Sequence, residues 1–158
     1  MQRSKHGLRW LAITAVACGM MTACIDNTVY HHYEHTPLAG WERNDTLKFL
    51  VPHAMQKGQY EEEIGLRING DYPFLGLRLI VSQTIYPKHQ TFTDTLDCEV
   101  INKNGNATGK GITMYQYLFH LTTLQLEKGD SLSVSIRHDM KREILPGIAD
   151  VGVKLSKQ

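Results

Sequence analysis

Histidine and glutamate stand together near the amino end of the chain, in a spacing that suits metal chemistry. Residues 31–35 read His-His-Tyr-Glu-His, which matches the H-x-x-E-H order of one class of zinc peptidase. On a helix, His31 and His35 would bind zinc from one face while Glu34 acted as the general base. The β-branched and aromatic neighbours favour a strand instead, and Pro37 ends any helix at once. We therefore expect an exposed polar strand and no metal.

Two further groups contain the residue types of a hydrolase. Glu61-Glu62-Glu63 suggests the paired carboxylates of a glycosidase, but on a strand Glu61 and Glu63 would share the solvent-facing side with Arg67. Three serines alternate with apolar residues in the same way, namely Ser131, Ser133 and Ser135. The chain contains no G-x-S-x-G sequence, the nucleophile turn of many hydrolases. The sequence therefore predicts a protein that is not an enzyme and needs no cofactor.

Aromatic residues near the amino end offer a second kind of site. Trp41, with Tyr30 and Tyr33 nearby, has the ring surface on which a sugar stacks. The other interpretation is that these rings plug one end of a β-sandwich. Glycan binding is therefore the alternative function for this sequence.

The first 24 residues have the plan of an export signal. Residues 1–9 carry three basic side chains and no acid, and Trp10–Met21 is almost entirely apolar. A dozen apolar residues are too few to cross a bilayer, which needs about 20 in a helix. Met21-Thr22-Ala23-Cys24 then resembles the lipobox of bacterial lipoproteins, which implies that residues 1–23 are removed and that the Cys24 thiol receives a lipid. The remaining alternative is an ordinary secretory signal with an incidental cysteine.

A lipid on Cys24 would hold the mature chain on a membrane. Two or three acyl chains bind stably, since each buried methylene contributes ~0.8 kcal/mol. Residues 24–27 form the predicted tether and span at most ~14 Å, so we expect the folded body to lie close to the lipid surface. The second mature residue, Ile25, is not the aspartate that often retains lipoproteins at the inner membrane. We therefore expect the outer membrane, on its periplasmic face rather than at the cell surface.

Composition limits the mature chain to a single domain, predicted over residues 28–158. Removing the signal leaves 14 basic and 16 acidic residues, a formal charge of −2. A nearly neutral chain without a basic stripe is not expected to bind nucleic acid. Cys98 is the one cysteine left besides Cys24, so no disulfide forms within the chain, and we expect Cys98 to be a small buried residue.

Short alternating runs separated by turn residues predict an all-β fold. The predicted strands are Thr28–His35, Thr46–Val51, Tyr60–Asn69, Phe74–Gln83, Phe92–Ile101, Thr113–Leu121, Ser131–His138 and Val151–Leu155. In residues 131–136 apolar and hydroxyl side chains alternate strictly, which gives one buried and one wet face. Asn69-Gly70 and Asn104-Gly105 mark tight turns. We expect an antiparallel, jelly-roll-like β-sandwich of about eight strands.

One short helical turn is predicted near residues 139–145. Asp139 would cap it, Met140 and Ile144 would share one face, and Pro146 would end it. The rest of the mature chain has almost no helical periodicity.

Three segments of the chain resemble the gliding motility lipoprotein family GldH of Bacteroidota. They are residues 136–155 (IRHDMKREILPGIADVGVKL), residues 71–77 (DYPFLGL) and the glycine-lysine-glycine loop at residues 105–111. They occur in the order of that family, together with the lipobox, and the similarity covers almost the whole mature chain. The resemblance implies a membrane-attached accessory protein of the gliding apparatus and of the type IX secretion route linked to it, or its counterpart in a bacterium that does not glide. It implies protein partners in the cell envelope and no known reaction or cofactor.

A charged corner is predicted where the last two strands meet. Its members are Arg137, His138, Asp139, Lys141, Arg142 and Asp150. Exposed ion pairs contribute less than ~1 kcal/mol each, but several together can lock two strands. The same residues can instead present a docking face to a partner, and the sequence leaves both interpretations open.

Overall fold

The computed structural model describes residues 27–54 and 56–158, and its regular structure is entirely strand. The strands are β1 Thr28–His35, β2 Trp41–Glu42, β3 Leu47–Val51, β4 Gly58–Asn69, β5 Gly76–Tyr86, β6 Gln90–Glu99, β7 Lys110–Gly111, β8 Met114–Leu126, β9 Ser131–His138, β10 Ile144–Leu145 and β11 Ile148–Lys157. Within the described ranges, no helix is long and apolar enough to span a bilayer. The predicted signal peptide, Cys24 and the tether up to residue 26 lie outside the described residues.

Two antiparallel sheets pack against each other with the wiring of a jelly roll. The first sheet has the order β1-β11-β4-β8-β7, and the second has the order β3-β9-β5-β6. When the two-residue strands are left out and the other eight are numbered along the chain, the sheets read 1-8-3-6 and 2-7-4-5. This is the strand order of a jelly roll. The structure therefore confirms the predicted antiparallel sandwich and its count of about eight strands.

The core lies between the inner faces of the two sheets. In β9, Leu132, Val134 and Ile136 are at most 1% exposed, while the serines between them are partly exposed. Strands β4 and β11 contribute alternate residues in the same way. Burying one such side chain contributes about 1.5–3 kcal/mol. Cys98 is also buried, which confirms the expectation that it is a small core residue.

The predicted helical turn at residues 139–145 is wrong. This segment is an irregular loop that ends in β10, and β10 pairs with β2 in a small two-stranded sheet. The Arg43 guanidinium donates hydrogen bonds to the carbonyl oxygens of Met140 and Lys141. In a helical turn these carbonyl groups would point along the helix axis instead. Tertiary contacts with a distant part of the chain therefore outweigh the local capping and periodicity signals.

The wiring gives the sandwich two distinct ends. β1 begins with Thr28 paired to Ser156 near the end of β11, and the β5–β6 and β8–β9 turns lie at the same end. We call this the amino-terminal end. The distal end holds His35 at the end of β1, Gly76 at the start of β5 and His138 at the end of β9. The 12 residues of β4 join the two ends and span ~40 Å.

A glutamate lies in the core between the sheets. Glu62 of β4 has no exposed surface, and its Oε2 accepts a hydrogen bond of 3.0 Å from Nε2 of Gln83 on β5. Oε1 of Glu62 and Oε1 of Gln83 have no hydrogen-bond partner. Burial raises the pKa of Glu62 to about 7, the Gln83 hydrogen bond opposes this rise, and the charge of Asp94 adds to it. Burial outweighs the single hydrogen bond from Gln83, so this site favours a neutral glutamate more than water does.

Replacing Glu62 by glutamine should remove the pH dependence of this pair. The folded-state pKa of about 7 lies above the ordinary value of 4.5, so the folded chain binds the proton more tightly and wild-type stability falls as pH rises from 4.5 to 7. The Glu62→Gln amide is uncharged at every pH and still offers an oxygen to Gln83 Nε2. We expect little change in the free energy of unfolding at pH 4 and a gain of up to about 3 kcal/mol at pH 8, measured by urea titration.

The control for this experiment is Glu61→Gln, which lies on the outer face of the same strand. Glu61 accepts a hydrogen bond from the His120 ring on the neighbouring strand and does not enter the core. This variant should keep the wild-type slope of stability against pH. A wild-type slope in Glu62→Gln would contradict the account of the buried pair.

Candidate functional site at the distal end

A groove of about 910 Å³ opens at the distal end of the sandwich. The start of β5, the end of β6 and the loop after β9 form its walls. Its lining comprises residues 74–78, 97–99 and 139–142 together with Ile101 and Lys103. Leu75 is 64% exposed, and Phe74 and Met140 are only partly covered. Apolar side chains that remain open in a concave site are typical of binding surfaces.

Contacts from β5 hold one wall of the groove in place. Nε and Nη2 of Arg78 donate to the two carboxylate oxygens of Asp97 on β6 at 2.6 and 3.0 Å, and this pairing lowers the pKa of Asp97. The Asp139 amide donates to the Arg78 carbonyl at 2.8 Å. The Arg78 amide in turn donates to Sδ of Met140 at 3.4 Å. The loop after β9 is therefore fastened to the first residues of β5.

Arg43 fastens the other side of the same loop. Its guanidinium binds the carbonyl oxygens of Met140 and Lys141, and its amide donates to the Glu143 carbonyl at 2.8 Å. Arg43 lies 97 residues before Met140 in the chain. The sequence analysis missed this residue, because no local spacing connects a lone arginine to such a distant loop.

The structure divides the predicted charged corner into separate places. Asp139, Lys141 and Arg142 are exposed and line the groove. Arg137 is partly exposed beside Ile80 on the outer face of the second sheet. His138 lies in the core, and Asp150 lies on β11 in the other sheet. Half of the predicted corner is therefore part of the groove.

His138 holds the distal end together from inside. Its Nε2 donates to the Trp41 carbonyl at 3.1 Å, and its ring meets the Trp41 ring edge to face at 5.3 Å. Its Nδ1 accepts a hydrogen bond of 3.4 Å from the Met140 amide. Burial lowers the pKa of His138, so the ring is neutral at neutral pH. Its contribution to the groove is to support the backbone of the loop after β9.

Asp150 joins three strands of the first sheet. Its carboxylate contacts Nδ1 of His35 on β1 and lies 3.5 Å from Nη1 of Arg67 on β4. The Asp150 side chain is 8% exposed, and it borders a different, more polar depression from the groove. Asp150 is therefore placed to fix the strands that surround it.

The aromatic residues considered for sugar stacking are all buried or partly buried. Trp41 has no exposed surface, and its Nε1 donates to the Asp45 carbonyl at 2.9 Å. The Tyr33 ring lies on Gly65 and Gly152, and the Arg67 guanidinium sits 4.1 Å from the ring centroid. Tyr30 packs partly buried against the core. Trp41 therefore plugs the distal end of the sandwich, as the second interpretation of these rings expected.

The residues considered for catalysis are separated by the strand geometry. His31 and His35 lie on the outer side of β1, and His32 lies on the side of the buried Val153. On β4, Glu63 accepts a hydrogen bond of 2.8 Å from Lys154. Within residues 27–54 and 56–158, no group of three or more His, Cys, Asp or Glu side chains is arranged to hold a metal ion.

The fold and the groove define the class of this protein. It is a jelly-roll β-sandwich with a partly apolar groove at its distal end. The sequence pattern described as GldH lipoprotein matches residues 28–155, which is nearly the whole sandwich. The chain belongs to the GldH lipoprotein family. This confirms the resemblance seen in residues 71–77, 105–111 and 136–155.

Two relatives are named for gliding motility. Over 161 aligned positions the chain is 27% identical to the gliding motility lipoprotein GldH of Flavobacterium johnsoniae, with 92% of this chain and 95% of that protein covered. Over 147 positions it is 24% identical to the gliding motility lipoprotein GldH homolog of Christiangramia forsetii, with 87% and 89% covered. Both are named as lipoproteins rather than enzymes, and the family is one of lipid-anchored envelope proteins.

Solved structures share the general sandwich shape with this chain. A carbohydrate-binding module of a Cellvibrio mixtus lichenase, solved with cellotriose, is 14% identical with a TM-score of 0.40 and covers 83% of this chain and 89% of its own. The glucuronidase BtGH115A is 12% identical with a TM-score of 0.44 and covers 83% of this chain and 18% of its own. Likeness at this level carries no inference about a ligand.

Adding a methyl group at Gly65 should destabilise the first sheet by displacing Tyr33. A Cβ at Gly65 would lie 2.8 Å from Cζ of the Tyr33 ring, which is too close for two carbon atoms. We expect Gly65→Ala to lower the free energy of unfolding by about 1–3 kcal/mol, measured by denaturant titration. Tyr33→Ala removes the clash, so the two substitutions should not add.

The matched control is Gly70→Ala in the β4–β5 turn, where an added Cβ meets no heavy atom within 4 Å. Its effect should stay within about 0.5 kcal/mol. If Gly65→Ala costs the same stability with tyrosine or alanine at position 33, the ring does not rest on Gly65 in solution.

Proposed function

We propose that the protein is a non-enzymatic accessory subunit of an envelope complex and that it binds a protein partner through the distal groove. In this proposal Cys24 carries the lipid, and the chain sits on the periplasmic face of the outer membrane. The complex is the gliding apparatus and the type IX secretion route linked to it. In a bacterium that does not glide, the protein serves the counterpart of that complex.

The observation that carries the proposal is the open apolar surface of the groove. Leu75 is 64% exposed, and the loop that holds Met140 is fastened on both sides, so the groove is formed before any partner binds. Burying apolar surface contributes about 25 cal/mol per Å². The charges of Asp139, Lys141 and Arg142 at the rim favour a partner whose charges are complementary and suitably placed.

The position of the groove relative to the membrane supports a protein partner rather than lipid. A tether of residues 24–27 reaches at most ~14 Å, and it enters the sandwich at Thr28, at the amino-terminal end. The groove lies at the distal end, ~40 Å away along β4. A lipid on Cys24 therefore leaves the groove facing the aqueous compartment.

The chemistry of the groove supports binding without turnover. Cys98 is the thiol that borders it. Burial raises the pKa of the Cys98 thiol to about 12. The thiol therefore stays protonated and weakly reactive at neutral pH. The groove offers contact surface, which is what an accessory subunit needs.

A charge placed in the groove should abolish function without unfolding the protein. In a strain of the native host that lacks the gene, Leu75→Glu should fail to restore gliding, or secretion in a host that does not glide. The reason is that a partner would have to desolvate the new carboxylate. The readout is spreading on agar or the amount of surface-exported protein, with the variant quantified in membranes by immunoblot.

Leu50→Glu provides the matched control for this substitution. Leu50 is 76% exposed on the outer face of the second sheet, away from the groove. It should restore wild-type behaviour. Full restoration by Leu75→Glu at wild-type abundance would overturn the proposed role of the groove.

A further inference from the structure

Within residues 27–54 and 56–158, three of the four edges of the two large sheets carry features that hinder pairing with another chain. β1 has a register shift between Thr28 and Tyr30, and β3 has only five residues. The short strand β7 pairs with part of the outer side of β8. The register between β8 and β4 also shifts at Glu62 and Glu63. Short strands, covers and bulges are the means by which natural proteins protect sheet edges.

β6 forms the fourth edge, and it is neither short nor interrupted by a bulge. Its ten residues pair with β5 in unbroken register from Gln90 to Glu99, and they include no proline, glycine or lysine. Throughout the part of the chain that the structure describes, no strand pairs with the outer side of β6. The following loop covers only its end, where Thr108 Oγ1 donates to the Glu99 carbonyl at 2.8 Å. Alternate residues of a strand direct their backbone groups to each side, so about five residues present unpaired N–H and C=O groups.

The second sheet is one strand shorter than the first on the side of β6. The first sheet has five strands and the second has four. β8 contacts β6 across the sandwich, so among the described strands none of the second sheet lies opposite β7. A strand added to β6 would give both sheets five strands.

The side chains beside this place are apolar and acidic. Phe92 is 46% exposed and Leu96 is partly buried against the core, and both pair with residues of β5 whose side chains point between the sheets. Asp94 lies between them on the same side. β6 carries three acidic residues and no basic one, and Arg78 pairs with just one of them, Asp97. The edge therefore suits a strand that is apolar and basic.

We propose that the outer edge of β6 binds an extended, basic segment of the partner protein as an added β-strand. This inference rests on the proposed function, because the last residues of β6 line the groove, and it names the chemistry of the partner. Backbone hydrogen bonds to β6 hold the segment, as in other cases of strand addition. Apolar side chains of the segment pack beside Phe92 and Leu96, and a lysine or arginine lies beside Asp94.

A second copy of this chain is the less suitable occupant. Antiparallel pairing of β6 with β6 of another copy brings six acidic side chains into one short ladder, because each copy contributes three. Like charges on neighbouring strands destabilise a sheet. The charge of β6 therefore favours a different, basic chain.

The test uses a nine-residue peptide of alternating lysine and valine, acetylated and amidated at its ends, with the acylated full-length protein in nanodiscs. Fluorescence anisotropy should give a Kd below about 1 mM. The peptide with glutamate in place of lysine should bind at least tenfold more weakly. N-methylation of alternate amides keeps the charge of the lysine peptide but removes the backbone N–H donors on one side. This peptide should also bind at least tenfold more weakly.

Two protein variants locate the site. Asp94→Lys should lower the affinity for the lysine peptide at least tenfold. Asp71→Lys makes the same charge change at the exposed β4–β5 turn, and it should change that affinity less than twofold. The N-methylated peptide needs no change in the protein, so the proposal remains testable if Asp94→Lys fails to fold.

The proposal is overturned if the lysine peptide does not bind at 1 mM (about −4 kcal/mol). It is also overturned if the glutamate peptide or the N-methylated peptide binds as tightly as the lysine peptide. Unchanged affinity of the lysine peptide for a folded Asp94→Lys protein overturns it as well. Disulfide-linked dimers of a Thr93→Cys protein would assign the edge to a second copy and overturn it too. If the peptide experiments fail while Leu75→Glu still abolishes function, the edge proposal falls and the groove proposal stands. If Leu75→Glu restores function, the groove proposal falls whatever the peptide does.

Discussion

Pairing of the first strand with the last is the interaction on which the rest of the structure depends. Thr28 pairs with Ser156 and His35 pairs with Asp150, so the first described strand is held against β11, an interior strand of the first sheet. Cross-strand contacts support this pairing, including the Tyr33 ring on Gly152. Because β1 runs from the amino-terminal end to the distal end, its first residue and the groove lie at opposite ends of the sandwich.

The distal end combines a rigid interior with an open surface. Trp41 and His138 are fully buried and hydrogen-bonded there, and Arg43 holds the loop after β9 against them. Leu75 and the rim charges remain exposed on the other side of that loop. Such preorganisation lowers the entropy that a partner would have to remove on binding. The buried Glu62 links the two sheets, since its Oε2 accepts a hydrogen bond from Gln83 Nε2 on the opposite sheet.

Period-two patterns made the fold predictable, and distant contacts limited the prediction of the site. The strict alternation of residues 131–136 gave β9 with its correct faces, because burial on one side of a strand leaves a direct trace in the sequence. The same alternation placed Glu62 in phase with Ile64 and Leu66, so its burial could have been predicted. No pattern of neighbouring residues in the sequence indicates the contact of Arg43 with the loop after β9. The helical turn predicted in that loop was wrong for this reason. Lipidation of Cys24 stays a prediction from the lipobox motif, because this cysteine lies outside the described residues.

The central claim is that the lipid holds the amino-terminal end at the bilayer while the groove faces away from it. The most direct measurement is quenching by lipid-borne spin labels of a fluorophore on one introduced cysteine of the acylated protein. Lys128→Cys marks the β8–β9 turn at the amino-terminal end, and Leu75→Cys marks the groove. Cys98 is buried, so the fluorophore reports the introduced position. The account predicts strong quenching at position 128 and weak quenching at position 75, and equal or stronger quenching at position 75 would contradict it.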